Sequence, residues 1–261
     1  MKFFKELTLF QKIFFGFFLV ASLVVFLLPL ALTKTSISTV FSPLSVLGFF
    51  SVICGIFVSI YTAKAKPAAY VFWWGSTIAM AIICFFNGLY GQFIQNLFFS
   101  LPIQIYGFFA WEKNLKKDST LEVKKMKSKN WGVLIVIMIL FWIAYGLLLK
   151  YLPTLLSSLF NIHMKEDPQI VLDAFTAMTA IIASVLTDLR FIEQWYFWIV
   201  YNSVAAITFI IQLTHSNFHN IPMFIASLSN TVNLTQYIIG VVYGYIVWVK
   251  IFKSEQKEKQ A

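Results

Sequence analysis

Three groups of neutral polar and aromatic residues interrupt otherwise apolar stretches of this 261-residue sequence. Gln92, Gln95 and Asn96 stand at i, i+3 and i+4. Asn230, Asn233 and Tyr237 stand at i, i+3 and i+7, as do Trp195, Trp198 and Asn202. On a helix each spacing returns to one face. Amides in apolar surroundings cost free energy unless paired. They can bond one another across helices, at roughly 0.6–2 kcal/mol each, or they can line a cavity and pair with a solute. Three helices that each present a polar face, one with two tryptophans, favour a cavity for a neutral or cationic ring compound. Other chemistry is thin. His215 and His219 are four apart but have no third ligand nearby, so no metal site is expected. Asp173 falls near the outer end of its span, and Asp188, Arg190 and Glu193 fall at an inner turn. A proton or sodium relay needs ionisable groups at membrane depth. There is no phosphate loop for ATP and no Ser/His/Asp grouping. No catalytic residue and no cofactor is expected, and the residues argue against an ion-coupled pump.

The elements that must position these groups are written in the composition. Hydrophobic residues make up 59% of the chain and charged residues 12%, with 29 Phe. A soluble domain carries about 25% charge, so lipid must solvate most of this chain. About 20 apolar residues cross a bilayer as a helix. Runs of that kind lie at 13–32, 44–63, 68–88, 92–111, 131–149, 170–189, 192–213 and 221–249. Between Lys66 and Glu112 there is no charge, so two helices must fold back there; Asn87-Gly88-Leu89-Tyr90-Gly91 is the expected turn. The first run follows Lys2, Lys5 and Lys12, but it is long and lacks a small-residue cleavage site, so it reads as a retained helix. Cys54 and Cys84 lie inside apolar runs and form no disulfide framework.

With the N-terminus inside and eight alternating spans, every lysine and arginine except Lys34, Lys150 and Lys165 falls on the inner side. This bias fixes orientation, and it explains the net charge of +9 without nucleic acid as a partner. Both termini are then cytoplasmic, in a multi-pass protein of the plasma membrane. The segment 112–130, rich in lysine, reads as a solvated inner loop.

A shift of the sequence against itself by 137 residues aligns Asn96 with Asn233, Leu97 with Leu234, Tyr106 with Tyr243, Gly107 with Gly244, Trp111 with Trp248 and Lys113 with Lys250. Phe72-Trp73 matches Phe197-Trp198 at a shift of 125, as a changed loop length would produce. The expected architecture is an all-α integral membrane protein with two parallel three-helix repeats. The segments are an N-terminal helix (1–33) outside the symmetry, a first repeat (44–111), a basic loop and linker helix (112–150), a second repeat (170–250) and a tail (251–261). Parallel repeats are a known transporter plan, with the substrate at the repeat interface.

Glu193-x-Trp195-x2-Trp198-x3-Asn202 resembles the signature of the Pnu vitamin transporters, whose PnuC branch carries nicotinamide riboside. Gly88-Leu-Tyr-Gly91, Asn96, Tyr106-Gly107 and Trp111-Glu112 resemble the first-half motif, with Phe108 where the family often has Trp. The resemblance covers about residues 44–250. It implies a three-plus-one-plus-three plan like that of the SWEET sugar transporters, facilitated diffusion, and trapping of the product by a cytosolic kinase. It also implies that Trp195, Trp198 and Asn202 contact the substrate, with the amides of the third helix of each unit as further ligands. Nicotinamide riboside is the substrate expected first. Thiamine, riboflavin, a deoxynucleoside and a sugar stay open beside it, as do homo-oligomerisation and a purely structural membrane protein.

Overall fold

The computed structural model describes residues 5–32, 36–86, 93–115, 121–163, 170–215 and 221–258. Every expected span is helical where it is described. Helix α1 (Leu9–Leu32) opens on a capping box: Thr8 and Gln11 exchange backbone-to-side-chain bonds of 3.1 and 3.3 Å. A short turn, α2 (Ile37–Val40), precedes α3 (Pro43–Ala63), which starts at N-cap Ser42 with proline at N1. After α4 (Ala68–Phe86), the expected Gly88–Gly91 turn lies outside the described residues. A π-helical segment (Gln95–Ser100) runs into α5 (Leu101–Lys113). Then follow α6 (Ser128–Phe160), α7 (Ile170–Asp188), α8 (Gln194–His215) and α9 (Ile221–Glu258). Among the described residues five helices are long and apolar enough to cross a membrane, and α4 contributes a shorter apolar stretch. Helices α6 and α9, at 33 and 38 residues, outrun their expected spans. At ~1.5 Å per residue each exceeds the ~30 Å hydrocarbon layer.

Neighbour relations close six of these helices into a ring, α3–α4–α5–α7–α8–α9 and back to α3. Helix α6 packs on α7 from outside and turns Ile135, Ile139, Ile143 and Leu147 away from the bundle. Helix α1 lies along the seam where α3 meets α9. Helices α3 and α7 end alike. Ala65 (φ 51°) and Arg190 (φ 65°) are left-handed, and each is followed by a six-residue closing bond, Lys66 N to Tyr61 O at 3.0 Å and Phe191 N to Leu186 O at 2.9 Å. Both are Schellman closures made without glycine, again 125 residues apart.

The basic loop departs from expectation. Its described part, 121–127, does not stand free in solvent. Leu121 and Val123 are buried in the core at the lysine-rich end. Lys124 pairs with the α7–α8 turn through Lys124 N to Arg190 O (2.8 Å) and Ile192 N to Lys124 O (2.9 Å). Two apolar residues at strand spacing put one face inward while Lys124 stays outside. Met126 N donates to Glu193 Oε1 at 3.1 Å, so the first residue of the Glu-x-Trp motif anchors the loop.

Candidate functional site

The centre of the ring is organised by two tryptophan pairs. Trp111 of α5 and Trp248 of α9 have ring centroids 5.8 Å apart at 47°. Trp73 of α4 and Trp198 of α8 lie 5.7 Å apart at 53°. In each pair the partners are matched by the sequence shifts, 137 for the first and 125 for the second.

The first pair forms a plug at the lysine-rich end. Trp111 and Trp248 are fully buried among Tyr70, Leu121, Ile192, Trp195 and Val241. Trp111 Nε1 donates to Thr187 O at 2.9 Å, and Trp248 Nε1 donates to Thr62 O at 2.8 Å. The acceptors sit at the ends of α7 and α3, so the two bonds tie α5 to α7 and α9 to α3. Gly107 and Gly244 are required by close approach. A Cβ at Gly107 would run into Tyr70 and the Asp188 carboxyl, and one at Gly244 would enter the Trp195 ring. Tyr70 donates to Asp188 Oδ1 at 2.6 Å beside this plug. Arg190 is buried there too. Burial draws its pKa down, against the opposing pull of Glu122, Glu255 and Tyr106.

The second pair lies farther from the lysine-rich end and is only partly buried. The Trp198 indole donates to Thr187 Oγ1 at 3.2 Å. Beyond it lies a neutral polar layer. Asn202 is 3% exposed and donates from Nδ2 to Trp198 O at 2.7 Å, using one of its two donors. The buried Thr77 and Gln104 bond one another at 2.9 and 3.1 Å. The buried Ser51 and Ser76 share a 2.9 Å bond, and Tyr237 pairs with Ser76.

This layering sorts the expected site residues. Trp195 belongs to the plug, edge-on to Trp248 at 5.7 Å and 83°. Trp198, Asn202 and Tyr237 belong to the middle of the ring. Helical rise puts Tyr237 about 16 Å and Asn233 about 22 Å along α9 from Trp248. Gln95 and Asn96 lie in the π-helical segment, Asn96 about 22 Å from Trp111 by the same rise. They and Asn233 therefore stand toward the lysine-poor end, beyond the tryptophan pair. Gln92 lies outside the described residues, and so does the side chain of Asn230 on α9.

Sequence reading missed Thr77, Gln104, Gln194 and Gln236 as site residues. The shift of 125 that aligns Trp73 with Trp198 also puts Thr77 on Asn202, a signal that was there to use. Gln194 is fully buried with its Nε2 unpartnered. Gln236 is fully buried with both amide atoms unpartnered, facing Gly55 of α3. Single polar letters in an apolar run carry no mark of which face they take, so these two were not separable by eye. Among the described residues no cluster of His, Cys, Asp or Glu could hold a metal ion.

A ring of apolar helices around a half-buried aromatic pair and a neutral polar layer is the build of a multi-pass membrane transporter. The family model described as nicotinamide mononucleotide transporter matches residues 45–250, and the chain belongs to that family. The Pnu resemblance of its motifs is thereby borne out. The chain is 27% identical over 219 residues to the nicotinamide riboside transporter PnuC of Neisseria mucosa, covering 82% of this chain and 76% of that one. It is 24% identical to the protein of the same name from Haemophilus influenzae, covering 81% and 83%. The crystal structure of the vitamin B3 transporter PnuC superposes with a TM-score of 0.70 over 95% of this chain and 94% of that one, at 25% identity. These proteins are transporters, not enzymes, and the structural-protein alternative falls away.

Proposed function

We propose that this protein takes up nicotinamide riboside by facilitated diffusion, and that a cytosolic kinase traps the product by phosphorylation. The observation that carries the substrate is the middle layer itself. Trp73, Thr77, Gln104, Trp198, Asn202 and Tyr237 offer aromatic faces and neutral hydrogen-bonding groups and no cation. Phosphate recognition relies on Arg or Lys. The chain's single arginine, Arg190, is held at the plug by the turn after α7. A mononucleotide would leave its phosphate without a partner in this layer. A riboside with a cationic pyridinium ring would find indole faces, where cation–π attraction reaches about 2 kcal/mol when desolvated. The nicotinamide riboside transporters among its relatives point the same way.

The carrier is built from two parallel three-helix units, α3–α5 and α7–α9, with α6 as the link. The matched Schellman ends, the paired Trp-to-carbonyl bonds and the cyclic neighbour order support this plan. The lysine bias puts both termini and the plug on the cytoplasmic side of the plasma membrane.

The test is uptake by the purified chain in proteoliposomes, with labelled nicotinamide riboside set against its mononucleotide, thiamine, riboflavin and a deoxynucleoside. Equilibration of the riboside alone, unaffected by ionophores, is expected. Accumulation of unmodified substrate against its gradient, driven by protons or sodium, would refute facilitated diffusion. Transport of another compound in place of the riboside would refute the substrate.

A further inference from the structure

Trp73 is the residue whose placement asks for a role. It sits on α4, which stands across the ring from α8, with α3 and α5 as its neighbours on either side. Yet its indole meets that of Trp198 at 5.7 Å, so the two bridge the middle of the ring. The plug pair, with nearly the same spacing and tilt, is fully buried, whereas Trp73 and Trp198 keep accessible surface. Trp73 also stacks on Tyr70 of the plug, at 5.8 Å and 30°.

We propose that Trp73 is the second aromatic wall of the substrate slot, so that the ligand's ring is held between one indole from each unit, and that Thr77 with Gln104 forms the polar edge on the α4 side opposite Asn202. This rests on the reading of the middle layer as the substrate site. With centroids 5.7 Å apart at 53° the two indoles touch each other, so they part to admit the ligand's ring. A cationic ring between them is then within about 6 Å of both centroids, the range of cation–π attraction. The walls are alike, so they cannot orient a ligand end to end. The layer beyond them is unlike on its two sides: Asn202 occupies on α8 the place that Thr77 occupies on α4, and Thr77 is engaged by Gln104. That asymmetry selects which way the substituents of the ring point.

The experiment is calorimetric titration of the purified full-length chain with nicotinamide riboside and with its reduced, uncharged dihydropyridine form. The variants are Trp73→Phe, Trp73→Leu and Trp198→Leu, each first checked by thermal melting. Leucine keeps apolar bulk without a π face, which guards against a variant that merely fails to fold. Trp73→Leu is expected to weaken the cationic riboside about tenfold or more, to weaken the uncharged form less, and to resemble Trp198→Leu. Trp73→Phe retains part of the affinity. A packing role would shift both ligands equally or shift only the melting temperature, and either result overturns the proposal. If Trp198→Leu loses the riboside while Trp73→Leu binds within twofold of wild type, the slot has one wall and the proposal fails alone. If the wild-type chain binds neither form, the substrate reading fails and takes the proposal with it.

Discussion

Gly244→Ala tests the plug most directly. The added methyl carbon would overlap Cη2 of Trp195 and lie 2.6 Å from both Cζ2 and Cζ3. Ordinary carbon contacts sit at about 3.5–4.0 Å, so roughly 1.5 Å must be found. Trp195 cannot give way cheaply, because it is 3% exposed and edge-on to Trp248, whose indole is bonded to Thr62 O. Helix α9 must therefore move off α8. Overpacking of this kind costs about 1–3 kcal/mol, and the Trp248 bond at stake adds roughly 0.6–2 kcal/mol. Together they put the expected loss at about 1.6–5 kcal/mol, against the gain of about 0.5–1 kcal/mol that Gly to Ala brings inside a helix. Gly132→Ala is the control, since nothing lies within 4 Å of a Cβ there. Thermal melting of both variants in detergent, followed by uptake in proteoliposomes, reads the outcome. Gly244→Ala should melt well below wild type and Gly132→Ala at or above it. Equal melting of the two variants would show that the tight approach of α8 and α9 is absent.

Asn202→Ala should leave a polar group of the ligand unpaired, weakening nicotinamide riboside by roughly 5- to 150-fold, or about 1–3 kcal/mol; unchanged affinity of folded protein removes Asn202 from the site. Trp111→Phe and Trp248→Phe each delete one bond between helices, so each should lower stability by roughly 0.6–2 kcal/mol, and near-equal losses are expected from their matched geometry. Unequal losses in thermal melting would count against the repeat relation. Leu121→Ser should release the docked loop, read as faster amide hydrogen exchange at Lys124, whose N–H bonds Arg190 O; unchanged protection refutes the docking. A cysteine at Lys125 should react with a membrane-impermeant reagent only after permeabilisation, and labelling of intact cells reverses the orientation.

The sequence alone determined the solvent and the spans, and it set out the repeat as an expectation. Lipid allows few exposed polar groups, so a run such as 131–149 can only be a spanning helix, and lysine placement carries orientation independently of packing. Within the six-residue match the glycines and tryptophans meet a demand of close contact, at Gly107, Gly244, Trp111 and Trp248, whereas Tyr106 is exposed. Depth and direction were another matter. Trp195 and Trp198 are three residues apart on one helix, and periodicity gave them one role. Only the arrival of α9 at Gly244 assigns Trp195 to the plug, and only the approach of α4 assigns Trp198 to the middle. Leu121 and Val123 read as loop because two apolar residues among lysines make no span, and their burial depends on a cleft that α7 and α8 build some 70 residues later in the chain. Spacing along a chain fixes which face a residue takes, and what stands opposite that face is decided by contacts between segments distant in sequence.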